Sequence, residues 1–143
     1  MIETLTLLLR IAGAGLILLA ALHVPMGRHL KWREEGTRLS PANQSIFHGH
    51  TFFICLGLVM MGLPCLLEPS IFLANSRAGV WLAWSLSVFW TTRLFYQWLV
   101  YPWSLWRGKT METVAHFGFS LVWLSLAALF AACGLWQMGW LRR

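Results

Sequence analysis

Five histidines, His23, His29, His48, His50 and His116, stand near the ends of long apolar runs or in the first loop between them. A neutral imidazole nitrogen ligates zinc, copper or iron, and two facing imidazoles serve as axial ligands of haem, so histidines from different helices at one depth form a candidate cofactor site. The densest group is "HGH", His48 to His50. On a regular helix these two side chains project about 200° apart. They meet one interior point only where the helix unwinds at Gly49, so the sequence predicts one interior histidine and one peripheral one.

The stronger combination lies between helices. His23, either His48 or His50, and His116 supply three imidazoles at similar depth. Glu112, one turn before His116, acts as a fourth metal ligand or as the carboxylate that orients that ring. The plainer alternative is a set of interfacial histidines bonded to headgroups, water and Glu112. Arg93 and Gln97 form a second group at i and i+4 on one apolar run. An arginine at a span centre costs about 2.5 to 3.5 kcal/mol on insertion scales, so Arg93 calls for a reason. One reading is an anion or carbonyl clamp, with Gln97 beside it, for a carboxylate, a phosphate headgroup or a quinone oxygen. The other is snorkelling toward the nearer surface, and Arg10 has the same two readings without a comparable polar cluster beside it.

The elements that position these groups follow from composition. The chain has 143 residues, of which 58% are hydrophobic and 11% charged, whereas about a quarter of residues are charged in soluble domains. That balance predicts an all-α integral membrane protein in the lipid bilayer. Apolar windows place spans at about residues 5–22, 47–66, 79–99 and 114–137, each near the ~20 residues that cross the hydrocarbon layer. The expected fold is a single domain forming a four-helix antiparallel transmembrane bundle. The stretch "RIAGAGLILLAALHV" has the apolar length of a signal peptide, but it is expected to be retained as the first span. Pro25 is expected to end that span. Ser40 and Pro41 are expected to cap and open the second, and Thr110 to cap the fourth. Antiparallel threading then brings all five histidines, Arg93, Gln97 and Glu112 toward one membrane face.

Charge sets the expected orientation. Arg28, Lys31, Arg33, Arg38, Arg107 and Lys109 lie in loops on one side, and Arg77, Arg142 and Arg143 on the other. The positive-inside bias makes the richer side cytoplasmic and both termini external, in a membrane such as the bacterial inner membrane. The aromatic series containing Trp90, Tyr96, Trp98, Tyr101, Trp103 and Trp106 reads mainly as an interface belt. Cys55, Cys65 and Cys133 form no CxxC pair, which argues against thiol-disulfide chemistry. The chain has no Asp, no GxSxG, no P-loop and no clustered histidine boxes, which disfavours serine hydrolase, NTPase and multi-box di-iron chemistry.

The functional expectation is a polar His/Arg/Glu site that binds a metal ion or haem and acts in redox or metal-dependent chemistry on a membrane-soluble or anionic ligand such as a quinone or lipid. A non-enzymatic subunit or assembly factor, as a homo-oligomer or in a larger membrane complex, is the alternative. An oligomeric small-solute transporter is third. No nucleic-acid partner is expected, because the net charge of +6 sits mainly in short loops.

Overall fold

A computed structural model describes residues 1–141, so Arg142 and Arg143 of the charge count lie outside the described residues. The chain is helical, with no strand among those residues. The helices are α1 (Ile2–His29), α2 (Trp32–Gly36), α3 (Pro41–Leu67), α4 (Arg77–Leu99) and α5 (Thr110–Gln137). Short 3-10 turns occur at Pro69–Phe72 and Trp103–Leu105. The α1, α3 and α5 helices are long and apolar enough to cross a membrane. The α4 helix has 23 residues, about 35 Å at 1.5 Å each, but Arg77, Ser85, Ser87, Thr91, Thr92, Arg93 and Gln97 keep it below that apolarity. The chain divides into two compact units, residues 7–69 and residues 1–6 with 70 onward.

In the unit of residues 7–69, α1 and α3 meet through glycine. A Cβ on Gly13 would stand 2.6 Å from Gly62 O and 2.6 Å from Leu66 N, and one on Gly62 would stand 2.8 Å from Gly13 O. Backbone therefore touches backbone, a common way for membrane helices to pack where side chains gain little by leaving lipid. The connection folds back through α2, entered at Lys31 in the left-handed region (φ 53°). Its Trp32 ring lies edge-on to His23 and to Phe47, with centroids at 6.3 and 5.9 Å. The Ser40 side chain accepts from Asn43 N at 3.4 Å and Pro41 opens α3, as the sequence predicts.

Two expected boundaries move. The α1 helix continues through Pro25 to His29, and α3 contains Pro64. Proline removes one backbone donor and crowds the preceding turn, but a long apolar helix tolerates that loss where neighbouring groups compensate. Thr110 is the first residue of α5 rather than its cap. The preceding position is Lys109, whose side chain makes no cap bond, and the Thr113 hydroxyl lies 2.7 Å from both Lys109 O and Trp106 O.

In the other unit, α4 and α5 form an antiparallel hairpin. Gly79 against Gln137, Trp84 against Gly134, the Ser87 hydroxyl donating to Ala127 O at 3.0 Å, and Gln97 against His116 mark successive levels along it. Buried positions on α5 include His116, Ser120, Trp123, Ala127, Phe130, Gly134 and Gln137, one stripe at steps of three and four, with Leu126 and Cys133 widening it. Ser76 caps α4, its hydroxyl accepting from Gly79 N at 3.0 Å. Gln137 closes the same end by donating to Phe72 O at 2.9 Å.

Candidate functional site

At the other end of the hairpin a polar network is built on Gln97, which is 4% exposed and bonded on both sides of its amide. Its Nε2 donates to His116 O at 2.8 Å and to Ser120 Oγ at 3.4 Å. Its Oε1 accepts from Trp123 Nε1 at 2.8 Å and from Arg93 at 3.3 Å. The Ser120 hydroxyl donates to His116 O and accepts from Trp98 Nε1 at 3.0 Å. Helix phase explains the convergence, because positions 116, 120 and 123 return to nearly the same azimuth on α5, and Arg93 and Gln97 do so on α4.

Arg93 is half-buried, and no carboxylate pairs with it among the described residues. Its guanidinium lies over the rings of Tyr101 and Trp123, 5.6 and 5.1 Å from their centroids. Contacts of that kind contribute about 0.5 to 2 kcal/mol each and leave the positive charge in place. Trp123 is in turn stacked with Trp90 at 5.1 Å and with Phe119 at 5.6 Å. Trp90 Nε1 is buried without an acceptor.

His116 is 6% exposed and lies against two indoles. Trp106 stacks on it with centroids 3.8 Å apart and planes at 17°, while Trp98 meets it edge-on at 4.9 Å. Its Nε2 is buried and has no hydrogen-bond partner. Leaving such a nitrogen unsatisfied costs about 1 to 3 kcal/mol.

Arg93, Gln97 and His116 share one network. Glu112 is exposed, with no bond to His116, although it lies one turn away on the same helix. His23, His48 and His50 belong to the other unit. There His23 Nδ1 is 2.8 Å from Leu19 O, and His48 lies beside the Phe47 ring. His48 and His50 are both exposed on an α3 that stays helical through Gly49, and His29 ends α1. No group of three or more His, Cys, Asp or Glu able to hold a metal ion occurs among the described residues.

Ser120, Trp123 and the lining role of Trp98 and Trp106 were not singled out by residue type. The available signal was spacing, since Ser120 and Trp123 fall four and seven residues after His116. Comparison of the chain with family models, curated proteins and solved structures gives no match.

Proposed function

We propose that this chain is an integral membrane protein in which α4 is a fourth, antiparallel span, and that the α4–α5 hairpin binds the oxyanion head of a membrane-soluble ligand at Arg93. One observation carries the reading: the network has more donors than acceptors. The Arg93 guanidinium and the Trp90 and Trp123 indoles offer N–H groups, Gln97 Oε1 receives two of them, and no carboxylate among the described residues joins them. A cation in a low-dielectric setting is best compensated by an anion, and carboxylate or phosphate oxygens are the acceptors that a guanidinium matches in shape. The aromatic faces over Arg93 suit the boundary between an apolar tail and a charged head. With its buried polar groups turned into the hairpin, α4 has the length to cross about 30 Å of hydrocarbon.

The test uses the protein in phosphatidylcholine vesicles, with quenching of tryptophan fluorescence as the readout. A bromine-labelled fatty acid, its neutral methyl ester and a bromine-labelled phosphatidylglycerol separate a free carboxylate from an uncharged tail and from a lipid phosphate. At least one anionic probe is expected to bind about tenfold more tightly than the ester, a difference near 1.4 kcal/mol. Arg93→Gln is expected to erase that preference. Equal binding of acid, phospholipid and ester would overturn the reading.

A second reading rests on the unpartnered Nε2 of His116, a lone imidazole of the kind that ligates haem iron or a metal ion. A Soret band or stoichiometric metal in the purified protein, lost in His116→Ala, would replace the oxyanion assignment. In either case we place residues 30–40 and 100–109 on the cytoplasmic side. Thr37→Cys is then expected to resist an impermeant thiol reagent in intact cells while Ser76→Cys reacts. The opposite pattern would invert the orientation.

A further inference from the structure

Among the buried polar atoms of the hairpin, His116 Nε2 is set apart by what covers it. Trp106 is the buried aromatic of the segment between α4 and α5, at 8% exposed, whereas Trp103 and Leu105 in the same segment are 63% and 49% exposed. Its burial coincides with the stack on His116 at 3.8 Å. The Thr113 hydroxyl holds the Trp106 carbonyl at 2.7 Å, which pins the main chain there and leaves the side-chain torsions as the freedom of the ring. Beyond it Gly108 adopts φ 78°, a conformation that glycine takes without strain and that turns the chain into α5. The stacked indole offers His116 a face but no hydrogen-bonding atom at Nε2.

We infer that His116 Nε2 is a further contact for the ligand, and that Trp106 is the cover the head group displaces to reach it. This rests on the oxyanion reading of Arg93. Gln97 ties the guanidinium to the backbone that carries His116, since its Oε1 accepts from Arg93 and its Nε2 donates to the His116 carbonyl. A carboxylate or phosphate has more than one oxygen. One meets Arg93, and a second accepts from His116 Nε2 once the indole moves aside, satisfying a nitrogen that the protein leaves without a partner. The site is thereby selective for heads with two or more oxygens over those with one.

Diethyl pyrocarbonate, which acylates accessible imidazole nitrogens, reports the cover when modification is read residue by residue by mass spectrometry. In the unaltered protein His116 is expected to react about tenfold or more slowly than the exposed His50, because buried groups react through rare opening. Trp106→Ala is expected to bring His116 close to the rate of His50, and the fatty acid to slow it again. Trp106→Leu keeps bulk without the stacked ring and carries the same test. His116→Phe is expected to weaken the preferred anionic probe by about 3- to 10-fold, the value of one hydrogen bond, while acid or phospholipid still binds better than ester. A His116 that stays shielded in both Trp106 variants, or a His116→Phe protein that binds the anion as tightly as the unaltered one, would sink the inference and leave Arg93 untouched. Loss of the anion preference in the unaltered protein would instead remove the oxyanion reading, whatever the reactivity of His116.

Discussion

Gln97→Leu is expected to lower the stability of the α4–α5 hairpin by about 2 to 5 kcal/mol, because a near-isosteric apolar side chain removes four hydrogen bonds and replaces none. The cost is unevenly spread. His116 O keeps the Ser120 hydroxyl at 2.8 Å, so that carbonyl stays satisfied. Trp123 Nε1 loses its acceptor, and the guanidinium of Arg93 loses the amide oxygen at 3.3 Å. Each orphaned donor contributes about 1 to 3 kcal/mol. Thermal unfolding in detergent, followed by near-ultraviolet circular dichroism from the tryptophan stack, measures it. Gln97→Glu separates packing from charge. It keeps oxygens for Trp123 and Arg93 and neutralises the guanidinium from within, so it is expected to abolish the preference for an anionic ligand while losing less stability than Gln97→Leu. A Gln97→Leu protein within about 0.5 kcal/mol of the original, the usual range for changes at uninvolved positions, would show that the network is not what holds this end of the hairpin.

The Arg93–Gln97 pair was legible because both residues are costly in an apolar run and stand one turn apart. Their answering groups were hidden for the opposite reason. Ser120 and Trp123 are ordinary residues of a long apolar helix, and only the antiparallel register of α4 against α5 gives them partners. Trp106 was absorbed into an aromatic series whose common explanation is an interface belt, and nothing in its type sets it apart from the exposed Trp103. The expected imidazole cluster combines depth with helix phase, and its members fall in two separate units, His23, His48 and His50 in one and His116 in the other. Glu112 is exposed although it lies one turn from His116, because sharing a helix face does not bring the first turn of α5 under the indoles that bury the ring. Pro25 does not end α1, because proline costs one backbone bond and crowds the preceding turn without forbidding the helix to continue to His29. Three of the four expected spans fall on helices long and apolar enough to cross a membrane. The exception is α4, whose length follows from its run but whose apolarity is reduced by its polar residues, Arg93 and Gln97 among them.

Gly13→Ala is expected to destabilise the α1–α3 contact by about 1 to 3 kcal/mol, the usual cost of overpacking, whereas Gly15→Ala two residues later is expected to be neutral or slightly stabilising. The contrast comes from what each new methyl group would meet. At Gly13 it would stand 2.6 Å from Gly62 O and from Leu66 N, both backbone atoms of α3. A flexible side chain can swing away from such a contact, but backbone inside a helix cannot, so the two helices must separate. Separation weakens the van der Waals contact along the rest of the pair, where membrane helices have no aqueous hydrophobic effect to compensate. At Gly15 no atom lies within 4 Å, so the methyl group faces open space, and alanine's better helix propensity, about 0.5 to 1 kcal/mol, is all that remains. The α3 side offers the same comparison: a Cβ on Gly62 would lie 2.8 Å from Gly13 O, while one on Gly57 meets nothing within 4 Å. Unfolding midpoints of the four alanine variants in one detergent should therefore fall into two pairs, Gly13 with Gly62 and Gly15 with Gly57. Equal midpoints for Gly13→Ala and Gly15→Ala would mean that α1 and α3 do not meet through Gly13, and that their pairing rests on side chains instead.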